Sequence, residues 1–222
     1  MWNLLLATIL LAQDSKERAL GEAMAAHIRA DSAPPAMPAA NAFVKRAGAR
    51  LAPSGLTFEL VNTPGAIEPN AIPGGHVFVP ARFFLAANDV EEFVAMIAHA
   101  IGHTRQDWRQ PTGWLGFHLD NENRNLIPLD RLEQQRAFEQ QADAVAIDLL
   151  TRAGYPAAAL RRYLARTQPE DTQRLSQLDA RLANLLAVAF VPDPQFSDLQ
   201  QSTGESLGLR RSKPPTLQRG PR

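Results

Sequence analysis

His99 and His103 stand four residues apart in the run Ile97-Ala-His-Ala-Ile-Gly-His103. On a helix that spacing projects two imidazoles from one face, a turn apart, where both can ligate one metal ion. The pair sits inside an apolar stripe of Phe93, Val94, Met96, Ile97 and Ile101, where an imidazole with neither a hydrogen bond nor a metal costs free energy. A third ligand is then required. The chain has no cysteine, so that ligand must be His, Asp or Glu. Glu139 lies on the longest helical pattern, with Asp143 one turn later on the same face. A ligating carboxylate, with a second one behind it to orient an imidazole, is the usual inner and outer arrangement of a zinc site. Two histidines and a glutamate with one position left open suit tetrahedral zinc, one ion per chain. The bland alternative is a metal-free helical scaffold, in which the histidines belong to the core and the carboxylates to a solvated face.

These residues need rigid elements to bring them together. Asn88, with Glu91 three residues on, is a capping-box signature that starts the histidine-bearing helix. Leu129–Ala153 carries Glu139 and Asp143 and is stopped by Gly154 with Pro156 behind it. Before them, helical spacing marks Ser15–Ile28 and Asn41–Leu51, separated by a proline-rich break over Asp31–Pro38. Two strands follow. Leu56–Asn62 alternates with period two, and His76–Val79 is introduced by the turn Ile72-Pro-Gly-Gly75 and stopped by Pro80, which suits an edge strand. Trp108–Asn125 is irregular and reads as a loop over the cleft, and Pro156–Arg166 and Pro169–Leu186 read as two further helices. The expected fold class is α+β, mostly helical with a small sheet.

Composition bounds the rest. A chain of 222 residues that is 45% hydrophobic and 21% charged fits one domain. Its 23 basic and 23 acidic residues balance, leaving no electrostatic footprint for nucleic acid or an anionic membrane surface. Trp2–Ala12 reads WNLLLATILLA, too short to span a bilayer comfortably and followed by a polar run, as in a secretory signal segment. The expected organisation is a signal segment over 1–12, a domain over 15–190 and a C-terminal extension over 191–222. The extension ends in RRSKPPTLQRGPR, which has too little apolar content to pack. Export to the periplasm or cell envelope follows from this reading, with no later transmembrane anchor.

Four motifs in order carry a family resemblance over roughly residues 40 to 185: Asn70-Ala-Ile-Pro-Gly-Gly-His-Val-Phe-Val79, Ile97-Ala-His-Ala-Ile-Gly-His103, Glu139-Gln-Gln-Ala-Asp143 and Arg152-Ala-Gly-Tyr-Pro156. The chain resembles the gluzincin zinc metallopeptidases, the group that includes HtpX, BepA-like proteins and the CAAX-prenyl endopeptidases. The resemblance implies a zincin-type metalloendopeptidase domain. His99, His103 and Glu139 would be its zinc ligands and Asp143 the partner behind them. It also implies that Gly74, Gly75, His76 and Val77 form an edge strand beside the metal-bearing helix, which holds an extended peptide or unfolded segment by strand addition.

Two positions depart from that pattern. The residue after the first ligand, a glutamate in the family's HExxH, is Ala100 here. That glutamate takes a proton from zinc-bound water and passes it to the leaving amine, which a methyl group cannot do. Glu91 and Glu92 lie two turns away along the helix and cannot substitute. In the segment Thr167–Arg174, which is similar to the family's THPxxxxR, Gln168 replaces the histidine near the active site while Arg174 is kept. The metal needs only its ligands, so the expectation is a metallopeptidase impaired in hydrolysis. The alternatives are a zinc-loaded pseudopeptidase that binds peptide or protein, and an active peptidase in which Ala100 was introduced. His76 and His118 are expected in surface or structural roles, and Trp108, Trp114 and Phe117 in the core.

Overall fold

The structure is a computed structural model that describes residues 2–32, 37–52, 54–63, 66, 68–104, 129–185, 188 and 193–209. Side chains are described from residue 15 in the first helix and from 133 in the fifth. Among the described residues the protein is mostly helical, with one small mixed sheet, an α+β arrangement. The element order is α1 (Trp2–Asp31), α2 (Pro38–Leu51), β1 (Thr57–Val61), β2 (Asn70–Ile72), a 3-10 turn (Pro73–Gly75), β3 (His76–Pro80) and α3 (Ala81–Ala86). There follow α4 (Val90–His103), α5 (Leu129–Ala153), α6 (Ala158–Thr167), α7 (Thr172–Leu182) and α8 (Pro194–Leu207).

The sheet order is β1-β3-β2, with β1 parallel and β2 antiparallel to β3. The segment expected at the edge is therefore the central strand, and all five of its residues are buried. Pro80 misleads because it closes β3 at the last paired position, opposite Val61, where the chain turns into α3. Proline there disturbs the ladder less than in mid-strand. Among the described residues the edges are β1 and the three-residue β2. Leu60 N donates to Asn41 Oδ1 at 3.0 Å and Asn62 N to Ser32 Oγ at 2.9 Å, so side chains cap the outward N–H groups of the β1 edge.

Period-two alternation splits the sheet between two apolar clusters. Phe58, Leu60, Ala71, Val77 and Val79 join the main core, to which α2 and α4 also contribute. Val61, Ile72 and Phe78 face the other way and are covered by Ala25, Met24 and Ile28 of α1. The helix α1 runs without a break through the expected boundary near residue 12. It crosses the Pro73–Gly75 turn so closely that a Cβ on Gly21 would fall 1.9 Å from Pro73 O. The turn itself needs glycine, since Gly74 and Gly75 have φ of 80° and 83°. No described helix is long and apolar enough to cross a membrane.

The main core is knit by Phe43, Phe84, Phe93 and Phe196, whose Phe84–Phe93 and Phe93–Phe196 ring centroids lie 5.3 Å apart. Phe196 belongs to α8, so the expected extension from 191 begins with a helix packed into the same core. Gln200 reinforces it, donating to Phe84 O at 2.7 Å and Ala87 O at 2.9 Å, carbonyls at the end of α3.

Candidate metal centre

The start of α4 is one residue later than the capping pattern suggested. Asp89 is the N-cap, and its Oδ1 accepts from Glu92 N at 2.7 Å. Every residue of α4 is buried, because the helix packs along α5, α6, α2 and the sheet at once. His99 and His103 share the face that meets α5, with their rings edge-on at 4.7 Å between centroids. Their Nε2 atoms are 3.1 Å apart. Glu139, one turn before Asp143 on α5, lies with Oε2 at 3.3 Å from His99 Nε2 and Oε1 at 3.8 Å from His103 Nε2.

His99, His103 and Glu139 each offer a ligand atom, all within 4.8 Å of one another. Bonds of about 2.0–2.1 Å in a tetrahedron put donor atoms about 3.3 Å apart, so separations of 3.1–3.8 Å fit such an ion. Two imidazole nitrogens facing each other this closely can also share one proton. The donor set of two nitrogens and a carboxylate could thus hold a metal ion.

Behind the donors the sequence-based assignment of Asp143 has its geometric counterpart. His99 Nδ1 is 2.9 Å from Asp143 Oδ1, which fixes which nitrogen faces the donor cluster. Arg174 then braces the carboxylate in a fork, Nε to Oδ2 at 2.7 Å and Nη2 to Oδ1 at 2.8 Å. The same Nη2 lies 3.0 Å from Glu139 Oε2, and Nη1 donates to Gln168 Oε1 at 3.4 Å. Arg174 is placed by α7, whose N-cap Asp171 accepts from Arg174 N. That one guanidinium spans both carboxylates is a link the sequence did not disclose.

The electrostatics follow from this clustering. Burial disfavours the His99 imidazolium, but hydrogen bonds to Asp143 and Glu139 outweigh it and hold the ring at about 9. Burial likewise opposes ionisation of Glu139 and Asp143, yet His99 and Arg174 keep both below the usual carboxylate range. Arg174 is desolvated too, and the two carboxylates more than compensate, so it stays charged.

Ala100 is completely buried in the main apolar core. Glu91 and Glu92 are engaged elsewhere, by Arg162 and Arg166 of α6. Gly74, Gly75, His76 and Val77 do not form an edge. Val77 points into the main core, and His76 lies on the α1 side of the sheet, 3.0 Å from Thr57 Oγ1 and 3.4 Å from Glu22 Oε1. His118, Trp108, Trp114 and Phe117 lie outside the described residues. Compared with protein-family models and with curated proteins, the chain matches none.

Proposed function

We propose that the chain is a zinc-binding protein of gluzincin metallopeptidase type, impaired in peptide hydrolysis, that works in the cell envelope as a module for extended peptide or unfolded protein. The observation that carries this reading is the convergence of His99, His103 and Glu139, with Asp143 set against His99 Nδ1. The three residues that the motif resemblance implies as ligands are ones whose ligand atoms lie within 4.8 Å of one another, which supports the reading.

In this reading His99, His103 and Glu139 hold the ion, and Asp143, braced by Arg174, keeps His99 in the tautomer that presents Nε2. Bound zinc supplies Lewis-acid polarisation of a carbonyl and a lowered pKa for water. The residues present do not complete that chemistry. Ala100 offers no atom to accept a proton, and Glu91 and Glu92 are committed to guanidinium partners. Strand addition of an extended segment is directed to β2 rather than β1 in this reading, since Asn41 and Ser32 take up the N–H groups of Leu60 and Asn62 and β3 is central. The apolar Trp2–Ala12 run supports export.

The test is elemental analysis of the purified chain beside a His103→Ala variant. About one zinc per wild-type chain, lost in the variant, is the expected result. Zinc absent from both would leave a metal-free helical scaffold.

A further inference from the structure

The helices that carry the donors touch at one crowded point. Gly102 lies between His99 and His103 on α4, and Ala142 lies between Glu139 and Asp143 on α5. A Cβ on Gly102 would fall 2.6 Å from Ala142 Cα and 2.7 Å from its carbonyl oxygen. Both are backbone atoms of a helix, so neither can rotate aside, and a side chain at 102 must move one helix against the other. Ala142 is fully buried, which removes an easy direction of escape.

The contact acts on the donor set unequally. The 3.1 Å between His99 Nε2 and His103 Nε2 is set within α4 alone. The distances from those nitrogens to Glu139, 3.3 and 3.8 Å, span the two helices and follow their separation. A donor triangle with two vertices on one rigid helix and the third on another changes size when the helices part. Metal-ligand bonds tolerate only about 0.2 Å of error, much less than the width of a methyl group.

Resting on the zinc reading above, the geometry points to Gly102 as a specificity-determining residue: by letting α4 and α5 meet backbone to backbone, it sets the size of ion that His99, His103 and Glu139 accept. The role is one of positioning, since Gly102 itself offers no ligand.

The experiment strips metal from wild-type, Gly102→Ala and Gly48→Ala chains and titrates each with Zn2+ and with the larger Cd2+ against a chromophoric chelator. Gly48 is a matched control, because a Cβ there would fall 2.3 Å from the Phe58 ring at the α2–β1 contact. It is as crowded and lies between no ligands. Gly102→Ala is expected to weaken Zn2+ by about ten- to a hundredfold, the range for residues that support ligands from outside, and Cd2+ by clearly less. Gly48→Ala should leave both constants within about twofold, as for an independent site. Should Gly102→Ala not fold, Ala142→Ser adds one atom to the fully buried residue whose backbone Gly102 abuts and must shift the preference in the same direction. Zinc binding in the wild type, with affinity and ion preference unchanged by the Gly102 or Ala142 variant, or with both ions weakened equally, overturns this inference alone. A wild-type chain that binds neither ion overturns the zinc reading and this inference with it.

Discussion

At the amino-terminal end of α4, Glu91 and Glu92 are each 4% exposed, and at the other end His99 is 6% exposed. Both ends bury ionisable groups, but they compensate them differently. Glu91 meets Arg162, which also reaches Asp89 at 3.4 Å, and Glu92 meets Arg166, so guanidiniums alone offset the carboxylates and join α4 to α6. At the far end imidazole nitrogens join the carboxylates and the guanidinium in one cluster. Two imidazoles present Nε2 to each other, both face Glu139, and Glu139 shares Arg174 with Asp143. Burial of charge alone therefore does not mark a site. Convergence of donors on one point does, because such a cluster is satisfied by a single cation or a shared proton.

The largest expected effect comes from placing a carboxylate next to His99. Because Ala100 is completely buried in the apolar core, Ala100→Glu should lower stability in denaturant titration. The folded fraction should gain chelator-sensitive cleavage of an unstructured fluorogenic peptide of up to about a hundred- to ten-thousandfold, the contribution of a positioned general base. At the opposite end, Arg166→Ala leaves Glu92 buried without its partner, at a cost of about 3 kcal/mol in unfolding free energy, the lower end of the range for a broken buried pair. Denaturant titration reads that loss, and zinc content should not change. A loss of zinc in Arg166→Ala would mean that the two ends are not separable.

The smallest effect is one of pH. In the metal-free chain His99 is held at about 9, where burial is outweighed by Asp143 and Glu139, against about 6.5 when unfolded. A raised folded-state value stabilises fully below about pH 6.5 and is lost as pH rises through about 9. The thermal midpoint of the metal-free chain should accordingly fall as pH is raised across that window. A zinc-bound His99 has no proton to lose there, so the loaded chain should show no such fall from this group. An identical fall in both forms would break the comparison.

The donor set was legible because it lies on long periodic helices. His99 and His103 sit in an unbroken apolar stripe, and Glu139 and Asp143 sit on a helix whose Leu129–Ala153 limits match the expected ones. Signals shorter than a turn or two were not legible. Asn88 and Asp89 are both good caps, and only the chain direction chooses Asp89. Three residues of β2 are too few for alternation to register. Position within a sheet is likewise not a local property, so Pro80 could not reveal that β3 has a neighbour on each side. In α8, Phe196 is buried amid a polar sequence, and one aromatic side chain gives no periodicity to detect. The Gly102–Ala142 contact had a faint signal, a small residue placed between the two donors of each helix.

Asn41 and Ser32 have an effect that reaches beyond one molecule. By occupying the N–H groups of Leu60 in β1 and of Asn62 just past its end, they make that side of the sheet a poor place for a strand to add. Growth of a fibril by sheet extension needs two open sides, one to receive a strand and one to offer the next. An edge whose N–H groups are already taken is a poor template for a second copy of the chain, so the same two side chains that finish the sheet also guard against edge-to-edge growth.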